Sequence, residues 1–175
     1  MVELLDKKET KLGLDIIAYR KLKKNERLSN LSNDKKEYID IDCLIMSPYL
    51  AEVDKAFPGR AEPLKYNGDV YVGDECENID IGSYGTYGWF RQALETFSKD
   101  SDYFNELIDF SDCEGVIGSV VSEKLYKDFS SNAESFGQWV CQNYSTLESG
   151  LLLRMYYKFK SAFEIAKDGG AVEFC

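Results

Sequence analysis

Between Leu152 and Ala166 the chain sets Leu152, Met155, Tyr156, Phe159, Phe163 and Ala166 three or four residues apart, the spacing of a single helix face. The pattern predicts a long helix over about 148–167. Asp168-Gly169-Gly170 stops it, and Ala171-Val172-Glu173-Phe174 has strand character. A strand that returns to a sheet there would bring Cys175 close to the first strands of the chain.

Those first strands are legible too. Leu14 to Leu22 carries β-branched and aromatic residues after Gly13 and reads as a strand over about 14–23. Asn25 to Asn33 is polar and turn-like. Tyr38 to Met46 alternates with period two, placing Ile39, Ile41, Cys43 and Ile45 on one face and Asp40 and Asp42 on the other. The expectation is that these two segments pair as antiparallel strands. Phe57-Pro58-Gly59-Arg60-Ala61-Glu62-Pro63 is a turn-rich connection. The fold class that follows is α+β: a small antiparallel sheet with strands near 14–23, 38–46, 70–72, 79–81 and 171–174. It packs against four or five helices near 87–98, 102–108, 112–130, 133–143 and 148–167. A chain of 175 residues with this pattern is read as one domain, with residues 1–12 a flexible or extended N-terminal segment.

Composition narrows the chemistry. The chain has no histidine, which removes imidazole bases, Ser-His and Cys-His nucleophile pairs and H-E-x-x-H zinc sites. Catalysis would have to use carboxylates, Tyr, Lys, Arg or a bare thiol, so the reading leans away from an enzyme. The five cysteines, Cys43, Cys76, Cys113, Cys141 and Cys175, form no C-x-x-C pair, which suggests reduced thiols in a cytoplasm and no zinc site. Met1 to Leu12 alternates charged and apolar residues, against a cleavable leader, and the apolar runs are too short to span a bilayer.

The net charge of −10 is unevenly distributed. Residues 69–114 contain twelve acids and only Arg91 and Lys99 as bases. A block of this kind opposes contact with nucleic acid or anionic membrane and favours a basic protein partner or a cation; it also serves simply as a solvated face. Within it, Gly73-Asp74-Glu75-Cys76-Glu77-Asn78 reads as an acidic hairpin tip between strands 70–72 and 79–81. It lacks the ligand spacing of a dedicated calcium loop, and no metal or cofactor is expected.

Two further stretches stand out. Gly82-Ser83-Tyr84-Gly85-Thr86-Tyr87-Gly88-Trp89 puts three glycines among aromatics, before Phe90, Ala93, Leu94 and Phe97 at helical spacing. It matches no phosphate-loop pattern. Its aromatics either close over the core or anchor a partner. Asp109-Phe110-Ser111-Asp112-Cys113-Glu114-Gly115-Val116-Ile117-Gly118 combines Ser111 and Glu114 at capping-box spacing, which predicts a helix start there, although Gly115 and Gly118 weaken its first turns. The dipole at that start lowers the pKa of the Cys113 thiol, and Asp112 and Glu114 raise it. An activated nucleophile is therefore not predicted.

Taken together, Gly13-Leu14-Asp15-Ile16 with Ala18-Tyr19, Phe57-Pro58-Gly59-Arg60-Ala61, Gly82-Ser83-Tyr84 with Tyr87 and Arg91, Phe110-Ser111-Asp112-Cys113-Glu114-Gly115 with Ile117-Gly118, and Gly169-Gly170-Ala171-Val172 with Phe174 resemble a family of small uncharacterised proteins of phages and prophages. The resemblance spans residues 13–174. It implies an accessory role in an infected cell and defines no catalytic activity; relatives that end near a histidine differ from this chain at Cys175.

The functional expectation is a non-enzymatic, cytoplasmic accessory protein. It would bind a basic host protein, such as a nucleic-acid-handling or defence component, with Asp74, Glu75, Glu77, Tyr84, Tyr87, Arg91, Asp112, Cys113 and Glu114 as the binding residues. An alternative is a small-ligand or nucleotide pocket in which Tyr84 and Tyr87 stack on the ligand and Arg91, Asp112 and Glu114 supply its polar contacts. A third is an enzyme that works through Cys113 or paired carboxylates. Neither direct nucleic-acid binding nor membrane contact is expected.

Overall fold

The computed structural model describes residues 13–36, 41–46, 55–65, 68–111 and 115–175. It contains two antiparallel sheets. The larger has the order β5-β1-β7-β6, with β1 Leu14–Arg20, β5 Glu75–Gly82, β6 Gly115–Gly118 and β7 Ala171–Phe174. The smaller has the order β2-β4-β3, from Lys23–Lys24, Val70–Val72 and Leu44–Met46. Two one-turn helices, α1 Glu26–Ser29 and α2 Asn33–Lys36, precede β3. The remainder are α3 Tyr84–Phe97, α4 Asn105–Ile108, α5 Ser119–Ser131, α6 Ala133–Asn143 and α7 Thr146–Ala166. The α+β class expected from periodicity is the class observed.

Alternation along β1 explains the layering. Leu14, Ile16 and Ala18 belong to the main core with Ile79, Ile81, Ile117, Val172 and Phe174, all against the helices. Ile17 and Tyr19 face the other way, into a second cluster with Val116, Ala171, Ile45, Ala61, Leu64 and Tyr71. The larger sheet is thus a middle layer, helices on one side and the smaller sheet plus residues 57–65 on the other. Side chains alternate across a strand, so one sheet serves both cores.

The helical core is built on α7, which contacts α5, α6, α3 and strands β1, β5 and β7. Phe159 stacks on Phe90 with ring centroids 5.4 Å apart, and Tyr156 stacks on Phe136 at 4.5 Å. The helix starts at a complete capping box, Ser145 with Glu148. At its far end β7 runs back against β1, and Cys175 exchanges backbone hydrogen bonds with Asp15, as the closing-strand reading expected.

Several expectations are corrected. The 14–23 strand ends at Arg20 because Lys21 adopts φ 52°, a left-handed conformation that breaks the ladder, and Lys23–Lys24 join the other sheet. The 38–46 strand is only Leu44–Met46 among the described residues, and residues 37–40, including Asp40, lie outside them. It pairs with β4 and not with β1, whose two edges are already occupied by β5 and β7. Asn25 to Asn33 contains helical turns, the first capped by the Asn25 side chain. The acidic tip narrows to Gly73-Asp74, since Glu75 to Asn78 pair with Arg20 to Ile17. Those four residues are strand because β1 extends far enough to supply their partners. The Gly82–Gly88 stretch is not a loop: Ser83 caps α3 by accepting from the Thr86 N–H at 3.1 Å.

The largest correction concerns the predicted 112–130 helix. Gly115-Val116-Ile117-Gly118 is the strand β6, paired with β7, and helix α5 begins at Ser119 with Gly118 as its N-cap. The sequence offered the signal in its flanking glycines and two β-branched residues. Val116 enters the second cluster and Ile117 the first, burial on both faces that a helix start could not provide.

Candidate functional site

β5 is an edge strand of eight residues whose only ladder, among the described residues, is with β1. Alternate backbone N–H and C=O groups of such a strand point away from the sheet. Ile79 and Ile81 are buried beneath the helices, whereas Glu75, Cys76, Glu77, Asn78 and Asp80 are exposed. The strand therefore has an apolar half that fixes its register and an acidic half at the rim.

The end of β1 and the strand β2 carry bases near this rim. Arg20 donates to the Glu75 carboxylate at 2.9 Å, Lys23 reaches Asp74 at 3.5 Å, and Lys24 reaches Asp69 at 3.0 Å. The hydrogen bond to Asp69 holds the Lys24 ammonium above its usual pKa. Glu77 makes no ion pair among the described residues. Lys158 of α7 donates to the Asp80 carbonyl oxygen, so one backbone acceptor of the strand already meets a basic side chain.

Elsewhere the acids of residues 69–114 do not converge. Asp69 is buried. Glu106 pairs with Lys124, and Asp109 lies 3.8 Å from Arg60. Glu95, Asp100 and Asp102 are exposed on and after α3. The acidic surface supported by geometry is the rim of β5, containing Asp74, Glu75 and Glu77. Asp112, Cys113 and Glu114, the heart of the sequence's most distinctive motif, lie outside the described residues.

The aromatic candidates separate. Tyr84 is 43% exposed at the start of α3, beyond the other end of β5 and roughly 25 Å along the strand from Glu75. Tyr87 is 2% exposed, and its hydroxyl donates to the Phe110 carbonyl at 2.6 Å. Arg91 donates to the Ile108 carbonyl at 2.7 Å, with its guanidinium 5.0 Å from the centre of the Tyr87 ring. Tyr87 and Arg91 thus fasten the chain leading into the Asp112–Glu114 segment. They do not stand open for a ligand.

The remaining motif residues meet around the same place. Phe110 packs on Phe57 and Phe174 with centroids 4.7 and 4.9 Å away. The Gly118 and Val120 N–H groups donate to the Arg60 and Glu62 carbonyls, so the start of α5 is capped by the 57–63 connection. This is a structural clasp, made by backbone atoms and rings.

A cleft of about 480 Å³ is lined by Arg20, Glu123, Glu164, Lys167 and Asp168. Four of these side chains have partners: Arg20 pairs with Glu75, Glu123 with Lys127, Glu164 accepts from Tyr126, and Lys167 lies over the Tyr126 ring. The hydrogen bond from Lys127 holds the Glu123 carboxyl below its usual pKa. Among the described residues no group of three His, Cys, Asp or Glu is placed to hold a metal.

The thiols are not all reduced. Cys43 and Cys76 are joined by a disulfide, with Cα atoms 5.3 Å apart and a sequence separation of 33. Tertiary pairing, invisible in spacing, brings β3 beside β5. Cys141 and Cys175 are free and exposed.

Fold and site together define an α+β protein with an acidic, half-open sheet edge. Comparison with models of known protein families, with characterised proteins and with solved structures found no match to this chain. Among the described residues no helix is long and apolar enough to cross a membrane.

Proposed function

We propose that this is a non-enzymatic accessory protein of phage or prophage type that docks an extended, Lys/Arg-rich segment of a host protein along the β5 edge in the cytoplasm. One observation carries the reading. An eight-residue strand lies at the sheet edge, and its rim half exposes Glu75, Cys76, Glu77 and Asn78.

An incoming strand would gain main-chain hydrogen bonds from the unpaired side of β5. Basic side chains on that strand would meet Glu77 and compete with Arg20 and Lys23 for Glu75 and Asp74. Charge complementarity of this kind sets orientation and association rate more than affinity, and salt weakens it. The same carboxylates disfavour pairing of two copies through β5, because like charges would stand opposite one another. The ligand-pocket alternative draws no support from Tyr87, whose buried hydroxyl donates to the Phe110 carbonyl, while Arg91 already donates from one guanidinium nitrogen to the Ile108 carbonyl.

The test is retention of host proteins on immobilised protein at low and then high salt, beside a Glu77→Lys/Asn78→Lys variant. The expected result is a basic host protein retained at low salt, released at high salt, and bound at least about tenfold more weakly by the variant, a loss of about 1.4 kcal/mol. Equal retention by the variant, or no retained partner at low salt, overturns the reading.

A further inference from the structure

The Cys43–Cys76 disulfide links two elements that otherwise touch sparingly. Cys43 is the turn residue just before β3, a three-residue strand of the smaller sheet, and Cys76 lies within β5 of the larger one. β3 pairs only with β4 among the described strands. Beyond the disulfide, its polar ties are the Cys43 carbonyl, which accepts from the Gly73 N–H at 2.9 Å, and the Leu44 carbonyl, 3.4 Å from the Tyr19 hydroxyl. A strand this short, held by one ladder, is marginal on its own.

Two further features concern the cysteines themselves. Cys43 has φ 60°, a left-handed backbone that costs a residue with a Cβ on the order of 1 kcal/mol and persists only where the surroundings enforce it. Cys76 is exposed and Cys43 half-buried, so the β5 end of the bond is the more open one.

We propose that this disulfide is a reversible redox latch: oxidised, it clamps β3 onto β5; reduced, it releases β3 while the helical core stays folded. A thiolate of a small thiol or dithiol reductant attacks Cys76 Sγ. The new S–S bond forms as the Cys76–Cys43 bond breaks, and the electron pair leaves on Cys43 Sγ, which takes up a proton. A second thiolate then displaces Cys76 from the mixed disulfide, and Cys76 is protonated in turn. Overall two reductant thiols become one disulfide, and the protein gains two electrons and two protons. A reducing cytoplasm supplies such thiols.

The separability of the latch comes from where the two cores lie. Release of β3 removes Ile45 from the second cluster, which holds Tyr19, Ala61, Leu64, Tyr71, Val116 and Ala171. The main cluster around α7 contains neither β3 nor β4 residues. The inference does not depend on β5 having a protein partner.

The experiment uses the full chain, purified without reductant and then treated with dithiothreitol under native conditions. Alkylation with mass mapping locates the thiols, and hydrogen exchange follows the backbone. The expected result is protection of Cys43 and Cys76 from alkylation before reduction and labelling of both after it. Amide exchange should speed at least tenfold at Leu44–Met46 and at Gly73, whose N–H donates to the Cys43 carbonyl, and stay unchanged in α7. A Cys43→Ser/Cys76→Ser variant should show the fast pattern without reductant. The proposal is overturned if both thiols label before reduction, or if the bond resists dithiothreitol until the chain is denatured. It is equally overturned if exchange is the same in both states, or if the double variant loses the α7 protection as well.

Discussion

Gly118 approaches Glu62 so closely that a Cβ built on it would lie 2.1 Å from the Glu62 carbonyl oxygen and 2.3 Å from that of Ala61. Both contacts are with backbone, which cannot swing away as a side-chain tip would. The Gly118 N–H also donates to the Arg60 carbonyl at 2.8 Å, so any displacement breaks the clasp between β6 and the 57–63 connection. Gly118→Ala should destabilise the protein by about 3 kcal/mol or more, the upper end for overpacking. Gly88→Ala, where the added Cβ would meet nothing within 4 Å, should be neutral or stabilising by up to about 1 kcal/mol in helix α3. Denaturant unfolding of both variants checks the pair.

Gly170 makes the same argument at the same end of the sheet, where Gly118 and Tyr19 both pair with Ala171. A Cβ there would lie 1.7 Å from the Tyr19 carbonyl oxygen, at the crossing of β1 and the turn after α7. Gly170→Ala should cost as much as Gly118→Ala. Equal stability of Gly170→Ala and wild type in a thermal melt would contradict the close approach.

Tyr19 and Glu173 form a hydrogen bond of 2.6 Å between neighbouring strands, with the Tyr19 hydroxyl donating to the carboxylate. Burial raises the Glu173 pKa above its ordinary 4.5, while the bond from Tyr19 pulls it back down. A carboxyl whose folded pKa is raised holds its proton more tightly in the native state. Its contribution to stability is complete below pH 4.5 and is lost as pH rises through the raised value. Glu173→Gln, which keeps an acceptor for Tyr19, should remove that component. The unfolding free energy of wild type minus variant should fall as pH rises above 4.5. A difference that stays flat or rises rules the assignment out.

Tyr87→Phe should cost about 1–2 kcal/mol, because it leaves the buried Phe110 carbonyl without its donor. Tyr84→Phe, at an exposed hydroxyl, should be silent within about 0.5 kcal/mol. Comparable losses in both variants would mean that Tyr87 is not the internal fastening described above.

Ser145→Ala should cost about 1 kcal/mol. The Ser145 hydroxyl accepts from the Glu148 N–H and donates to the Glu148 carboxylate, and both bonds go with it, while the bond from the Ser145 backbone N–H to Glu148 is open to the variant too. The hydrogen bonds from Ser145 also hold the Glu148 carboxyl below its usual pKa. Chemical denaturation at neutral pH measures the loss.

What could be read along the chain was whatever local chemistry dictates. The stripe from Leu152 to Ala166 forms α7 almost as spaced, and the Ala171 to Phe174 strand returns beside β1. Ala133 to Asn143 is a helix as its spacing requires. The site was less legible. Tyr87, three residues before Phe90, extends the apolar stripe of α3 into the core, and that spacing was the available clue that it is buried. Asn78 at the β5 rim was hidden by reading the acidic stretch as a turn. Ser111 and Glu114 gave a capping signal that competed with the strand character of Val116 and Ile117. Tertiary pairing with β7 prevailed there, because the four residues of β6 bury both faces.

The sequence by itself determined the α+β class, the long closing helix, the strand after it and the excess of acids over residues 69–114. Each depends on spacing or charge count, which survive any arrangement in space. Only the tertiary structure decided which strands pair, that β5 is an edge, that Cys43 meets Cys76, and that most acids of the block are scattered or matched with bases. Those outcomes depend on segments far apart in the chain competing for the same partners. β1 has just two edges, and β5 and β7 took them.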